Sequence, residues 1–146
     1  MKLHIKKLRK HYKWQLEAGH LTSVDIFDHS VNSAWISLNN NGGLLIRKGY
    51  SWDGASGPAI DTDNFLRASL VHDALYQLIA ANYLPMTLRR QADLELVRIA
   101  KEDGMTSFRR WYVLKAVRIF GGRYIKRGQR SQVFELDVPL KGVGMS

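Results

Sequence analysis

The chain of 146 residues contains no cysteine. That excludes disulfides and thiolate metal centres, and it suits a reducing compartment. No run approaches the roughly 18 to 20 apolar residues that span a bilayer, so no transmembrane segment is expected. The opening stretch MKLHIKKLRKHYKWQ is basic and lacks the apolar run of a signal peptide, so a cytoplasmic location is expected. Internal repeats and low-complexity tracts are absent. No helix-turn-helix, zinc-finger or Walker pattern occurs, which leaves no sequence-specific nucleic-acid motif. A serine hydrolase with a nucleophile elbow needs Gly-x-Ser-x-Gly, and none is present. Ser56 sits in a Gly-rich loop, where its hydroxyl suits bonding to loop backbone. A metal-dependent phosphohydrolase of the His…His-Asp…Asp type needs another histidine on an earlier helix. His4, His11, His20 and His29 all precede the helical part of the chain.

What is present suffices for a core. At 45% hydrophobic residues the chain fits a single domain, 1–146, and a domain of this length buries roughly two-thirds of its unfolded surface. Its net charge is +9, from 22 Lys and Arg against 13 Asp and Glu. The excess is concentrated at Lys2, Lys6, Lys7, Arg9, Lys10 and Lys13, and again from Arg109 to Arg130. Such a field attracts an anionic surface, phospholipid or another polyanion, and it also serves plain solubility.

The pattern divides into a β-rich half, 11–52, a Gly/Asp loop, 53–62, a helical half, 63–122, and a C-terminal tail, 131–146. WQLE, SVDIF, AWISL and LLIRKGY read as short strands, and NNNGG (39–43) reads as a hairpin turn. A first helix is expected over about 64–81, capped by Asp61 or Asp63 and ended at NYLPM, since Pro85 disfavours helix in the residue before it. Thr87 can cap a second helix, 87–103, which stops at Gly104. A third, 106–119, should end at Gly121–Gly122, and VFELDVPLKGVGMS can add one strand. The fold class is therefore α+β: a small N-terminal antiparallel sheet and then a three-helix core. Trp14, Trp35, Phe65, Trp111 and Phe120 are expected in the core, and Trp52 beside a cleft.

An ionisable pair stands in the apolar middle of the first helix. His72 shares a face with Phe65, Ala68, Ser69, Leu75, Tyr76 and Ile79. The short connection between the first two helices makes them antiparallel neighbours. His72 can then meet Asp93 across the pair, with Tyr76 one turn away. A histidine with one nitrogen on a carboxylate has a held tautomer, and its other nitrogen can act as a base. Asp73 points elsewhere, towards the WDGASGP loop. There Asp53 can join it around a hard cation such as Ca2+, with bent backbone supplying carbonyl oxygens. In the duller alternative the loop is a turn and His72 a satisfied structural histidine.

The run DGAS…F…S..HDALY…AD resembles the core of prokaryotic and fungal phospholipase A2 over residues 50–100. Over 12–122 the chain is similar to a family of uncharacterised phage and prophage proteins, with a Gly-aromatic-x-Asp-Gly-x-Ser loop, His-Asp-x-Leu-Tyr and Ala-Asp. The phospholipase resemblance implies that His72 is the general base, that Asp93 orients it and that Tyr76 joins the network. It implies that Asp73 is the main calcium ligand, helped by the Asp53 side chain and the Gly54 carbonyl. Calcium and a loop N–H would stabilise the oxyanion of the attacked ester. Those enzymes join loop to helix by a disulfide whose positions here are Ala55 and Ser69, so the resemblance implies that these two small residues face each other. Two functions follow. One is a calcium-assisted ester (phospholipid) hydrolase. The alternative is a non-catalytic phage protein that keeps the scaffold to bind an anionic partner, in either case in the host-cell cytoplasm.

Overall fold

Two small antiparallel sheets precede three helices in the computed structural model, an α+β fold. The structure describes residues 3–7, 14–52 and 63–131, the side chains of 7, 63, 64, 120 and 122–131 excepted. These residues fall into two compact units, the strands in one and the helices in the other. Asp53, Gly54, Ala55 and Asp61 lie outside the described residues, as does the strand expected in the tail.

In the β unit, β1 (Ile5–Lys7), β2 (Trp14–Leu16) and β7 (Ser51–Trp52) form one sheet in the order β1-β2-β7. The second contains β3 (His20–Ser23), β4 (Val31–Asn32), β5 (Ile36–Leu38) and β6 (Gly43–Ile46), in the order β3-β6-β5-β4. Alternation sets the register: Ile36 opposes Ile46 and Leu38 opposes Leu44, and all four are buried. NNNGG closes the β5–β6 hairpin. The Asn39 carboxamide oxygen accepts the N–H groups of Asn41 (3.0 Å) and Gly43 (2.8 Å), and Gly42 takes φ +84°, which a side chain would strain. SVDIF does not form the strand expected of it. Only Ser23 pairs; Val24 donates instead to the Gly42 carbonyl at 2.8 Å, which draws the chain off the ladder, while Val24 and Ile26 stay buried. Strands β1, β4 and β7 are two or three residues long, too short for alternation to reveal. Trp52 is buried in β7 opposite Trp14.

Helix α1 (Asp63–Ala80) is the core of the helical unit. From Phe65 to Ala80 only Asp73 and Gln77 escape full burial, which leaves one narrow wet stripe on an otherwise enclosed helix. Its end comes from Asn82 rather than from Pro85. Asn82 adopts φ +64°, its N–H bonds the Ile79 carbonyl and that of Tyr83 bonds Leu78, the paired closure of a left-handed C-terminus. Pro85 instead opens a 3-10 turn, Met86–Leu88. Thr87 sits inside that turn, and α2 (Arg89–Glu102) begins after Leu88 with no side-chain cap, so Thr87 is not the cap expected. Gly104, at φ +93°, ends α2 by the same paired closure, with Gly104 bonding Lys101 and Met105 bonding Ala100.

Partner numbers fall along α2 as they rise along α1, so the two run antiparallel. Arg67 binds Glu102 (2.7 Å) and Asp103 (3.0 Å) at one end, and His72 meets Asp93 further on. Helix α3 (Ser107–Ser131) runs straight through Gly121–Gly122, where its end was expected. Packing explains Gly121: a Cβ there would lie 2.5 Å from the Tyr76 hydroxyl oxygen and 2.6 Å from its ring. The glycine admits α1 rather than stopping α3. Trp111, expected in the core, is exposed on α3; Phe65 is buried, and Trp14 and Trp35 are half-buried.

Candidate functional site: a buried histidine between two carboxylates

Each helix contributes to one polar cluster in an apolar interior. His72 and Tyr76 stand one turn apart on α1, with ring centroids 4.1 Å apart. Asp93 enters from α2, its side chain fully enclosed. An ionised carboxylate only accepts hydrogen bonds, so His72 donates from Nε2 to Asp93 Oδ1 at 2.8 Å. The Tyr76 hydroxyl donates to the same oxygen. Arg118 of α3 reaches the other oxygen, Nη1 to Oδ2, at 3.1 Å. Arg89, one turn before Asp93, donates from Nε to the Tyr76 oxygen (3.3 Å) and from Nη2 to the backbone carbonyls of Val117 (3.2 Å) and Arg118 (2.7 Å). Asp93 thus receives donors from α1 and α3, and the three helices close around one negative charge.

On its other side the imidazole faces Asp73: Nδ1 lies 3.8 Å from Asp73 Oδ1. The His72 side chain is 8% exposed and that of Asp73 28%. One nitrogen is therefore sealed against Asp93, and the other is directed to the wet stripe of α1. Burial opposes the positive charge on His72, but the nearby carboxylates of Asp73 and Asp93, the latter hydrogen-bonded to it, outweigh burial and hold its pKa above the ordinary histidine value. Burial likewise opposes ionisation of Asp93, yet the bonds from His72 and Tyr76 prevail and hold it below the usual carboxylate range. Tyr76 is pushed well above an ordinary phenol, by burial first and then by the adjacent Asp93.

Of the residues singled out in the sequence, His72, Asp93 and Tyr76 are brought into direct contact, and Asp73 lies at the open side of the imidazole. Asp53 and Gly54, the other expected metal ligands, lie outside the described residues. Among the described residues no group of three His, Cys, Asp or Glu side chains could hold a metal ion, so Asp73 is the sole member of the expected calcium set with a known position. Ser69 is buried on α1 and donates to the Leu66 carbonyl at 2.8 Å. Its expected neighbour, Ala55, is outside the described residues.

Arg118 was missed because basic residues in a basic segment read as solvated surface, and Arg89 was not singled out. For Arg89 a signal existed: it precedes Asp93 by four residues, the spacing of a helical ion pair. Arg118 carried none, since only the docking of α3 brings it to Asp93. No family model, curated protein or solved structure matches the chain.

Proposed function

We propose that this protein is a hydrolase of carboxylic esters, phospholipids among them, with His72 as the general base and Asp93 as the group that holds its tautomer. One observation supports this above the others. The 3.8 Å between His72 Nδ1 and the Asp73 carboxylate exceeds a direct hydrogen bond, and both groups border the single wet stripe of α1. A base nitrogen and a carboxylate at that spacing can address one small reactant together. In this reading neutral His72 takes a proton from water at Nδ1, and the resulting cation is stabilised by Asp93 at Nε2. Tyr76 and Arg118 keep Asp93 ionised for that role. Calcium belongs to the proposal as a ligand of Asp73, with the Asp53 side chain and Gly54 carbonyl as its further donors, and it would polarise the ester carbonyl when bound. The resemblance to phospholipase A2 points the same way; that to uncharacterised phage proteins implies no particular activity.

A second reading has its own observation. Asp93 is buried and satisfied by donors from two neighbouring helices, as a purely structural cross-link would be. The protein would then keep the scaffold to bind an anionic partner.

A screen of lipid and short-chain esters, with and without calcium, separates the two. Wild type should hydrolyse an ester, His72→Ala should not, and both should remain folded. Activity should rise through a pH range above that of free imidazole, because the two carboxylates raise the pKa of the base. Equal rates in wild type and variant, or no turnover of any ester, would leave the structural reading standing.

A further inference from the structure

Helix α3 exposes a face that the cluster around Asp93 does not use. Phe108, Trp111, Lys115 and Ile119 recur at steps of three and four residues, so they form one stripe along the helix. Phe108 is 77% exposed, Trp111 54% and Ile119 67%. These are large apolar groups held in water. The two rings touch, with centroids 6.2 Å apart, and the Lys115 ammonium lies 4.7 Å from the centre of the Trp111 ring. No Asp or Glu occurs from Thr106 to Phe134, whereas basic residues recur throughout. The opposite side of α3 is committed to the fold through Val113 and Gly121.

We infer that this stripe is a docking surface for an anionic phospholipid bilayer. Apolar and aromatic side chains flanked by Lys and Arg on one helix face match the interfacial zone of a membrane, where rings and aliphatic groups enter the headgroup boundary and cations meet phosphate. The absence of any carboxylate along α3 removes the repulsion that would oppose it. A single-stranded nucleic acid would also meet basic and aromatic groups. It would gain little from Ile119, however, and would have to displace Lys115 from Trp111 before a base could stack. No helix among the described residues is long and apolar enough to cross a membrane, so α3 would lie on the surface. The inference rests on α3 alone, outside residues 50–100, and it holds whether or not His72 is catalytic.

The test is co-sedimentation of the full chain with vesicles of phosphatidylglycerol and phosphatidylcholine, against phosphatidylcholine alone. Binding should require the anionic lipid and weaken as salt is raised. Lys115→Glu should weaken it about thirtyfold, since each basic residue near such a surface contributes about a factor of five and the change reverses one charge. Phe108→Ser with Trp111→Ser should weaken it by about tenfold or more, while both variants keep the wild-type melting temperature because the altered groups are exposed. Absence of binding to phosphatidylglycerol vesicles would overturn the inference, as would binding that these variants leave unchanged. It would also be overturned if a single-stranded oligonucleotide bound through the same residues and the vesicles did not. Because the readout is binding rather than turnover, its failure is distinct from failure of the hydrolase proposal.

Discussion

Asp93→Asn is the most informative change in this protein, because the carboxylate accepts from His72 and Tyr76 on one oxygen and from Arg118 on the other. An amide has one accepting oxygen. If that oxygen faces His72 and Tyr76, the new NH2 confronts the Arg118 guanidinium, donor against donor; if reversed, two buried donors lose their acceptor. A hydrogen bond to a charged group is worth about 1.5 to 3 kcal/mol. The Arg118 side chain is 45% exposed, so water restores part of its loss. His72 can shed its proton, which limits the cost of leaving it without an anion on that side. The net expectation is a loss of about 2 to 3 kcal/mol, or roughly 10 to 20 °C in melting temperature for a unit of this size.

The pH dependence makes that expectation sharper. The lowered pKa of Asp93 contributes stability that is present above the unfolded carboxylate value and lost as pH falls through the folded one. The raised pKa of His72 contributes stability that is present below the unfolded histidine value and lost as pH rises through the folded one. The gap between wild type and variant should therefore be widest between about pH 4 and 6.5, the two unfolded values, and should narrow on either side. Urea unfolding followed by circular dichroism across that range measures it. A loss below about 0.5 kcal/mol, the scale of an inconsequential surface change, or a gap indifferent to pH, would refute the reasoning that Asp93 is ionised and bonded to a charged His72.

Two further outcomes are expected. Gly121→Ala improves helix propensity on α3 but places a methyl 2.5 Å from the Tyr76 hydroxyl oxygen; thermal melting should show a net loss of about 1 to 3 kcal/mol, and a stabilised variant would mean that α3 does not pass Tyr76 at that distance. Millimolar calcium should raise the melting temperature of wild type but not of Asp73→Asn, by mass action on the native state; the same calorimetric trace for both proteins would remove calcium from the proposal.

Much of the candidate site was legible because helical periodicity is local. His72 and Tyr76 share a face by spacing alone, and a short connection forces α1 and α2 to be antiparallel, so their meeting with Asp93 follows without coordinates. The same logic marked α1 as buried and NNNGG as a turn. Ends and edges were less legible. Asn82 rather than Pro85 ends α1, and Gly121 continues α3 rather than ending it, because the role of a residue that tolerates unusual backbone or close approach depends on what lies against it. The two-residue strands β4 and β7 exist only by pairing, which no window of that length can display.

The sequence by itself determined the α+β order, the absence of disulfide chemistry, the basic charge and the pairing of His72 with Asp93, since each follows from composition, from helical periodicity or from the short connection that folds α2 back along α1. Only the tertiary structure decided that Arg118 and Arg89 close the cluster, that Gly121 admits Tyr76, and that Phe108, Trp111 and Ile119 remain in water on α3. Those outcomes depend on which side of α3 meets α1 and α2. That choice is made by packing around a buried charge across more than twenty residues of chain, and no local pattern records it.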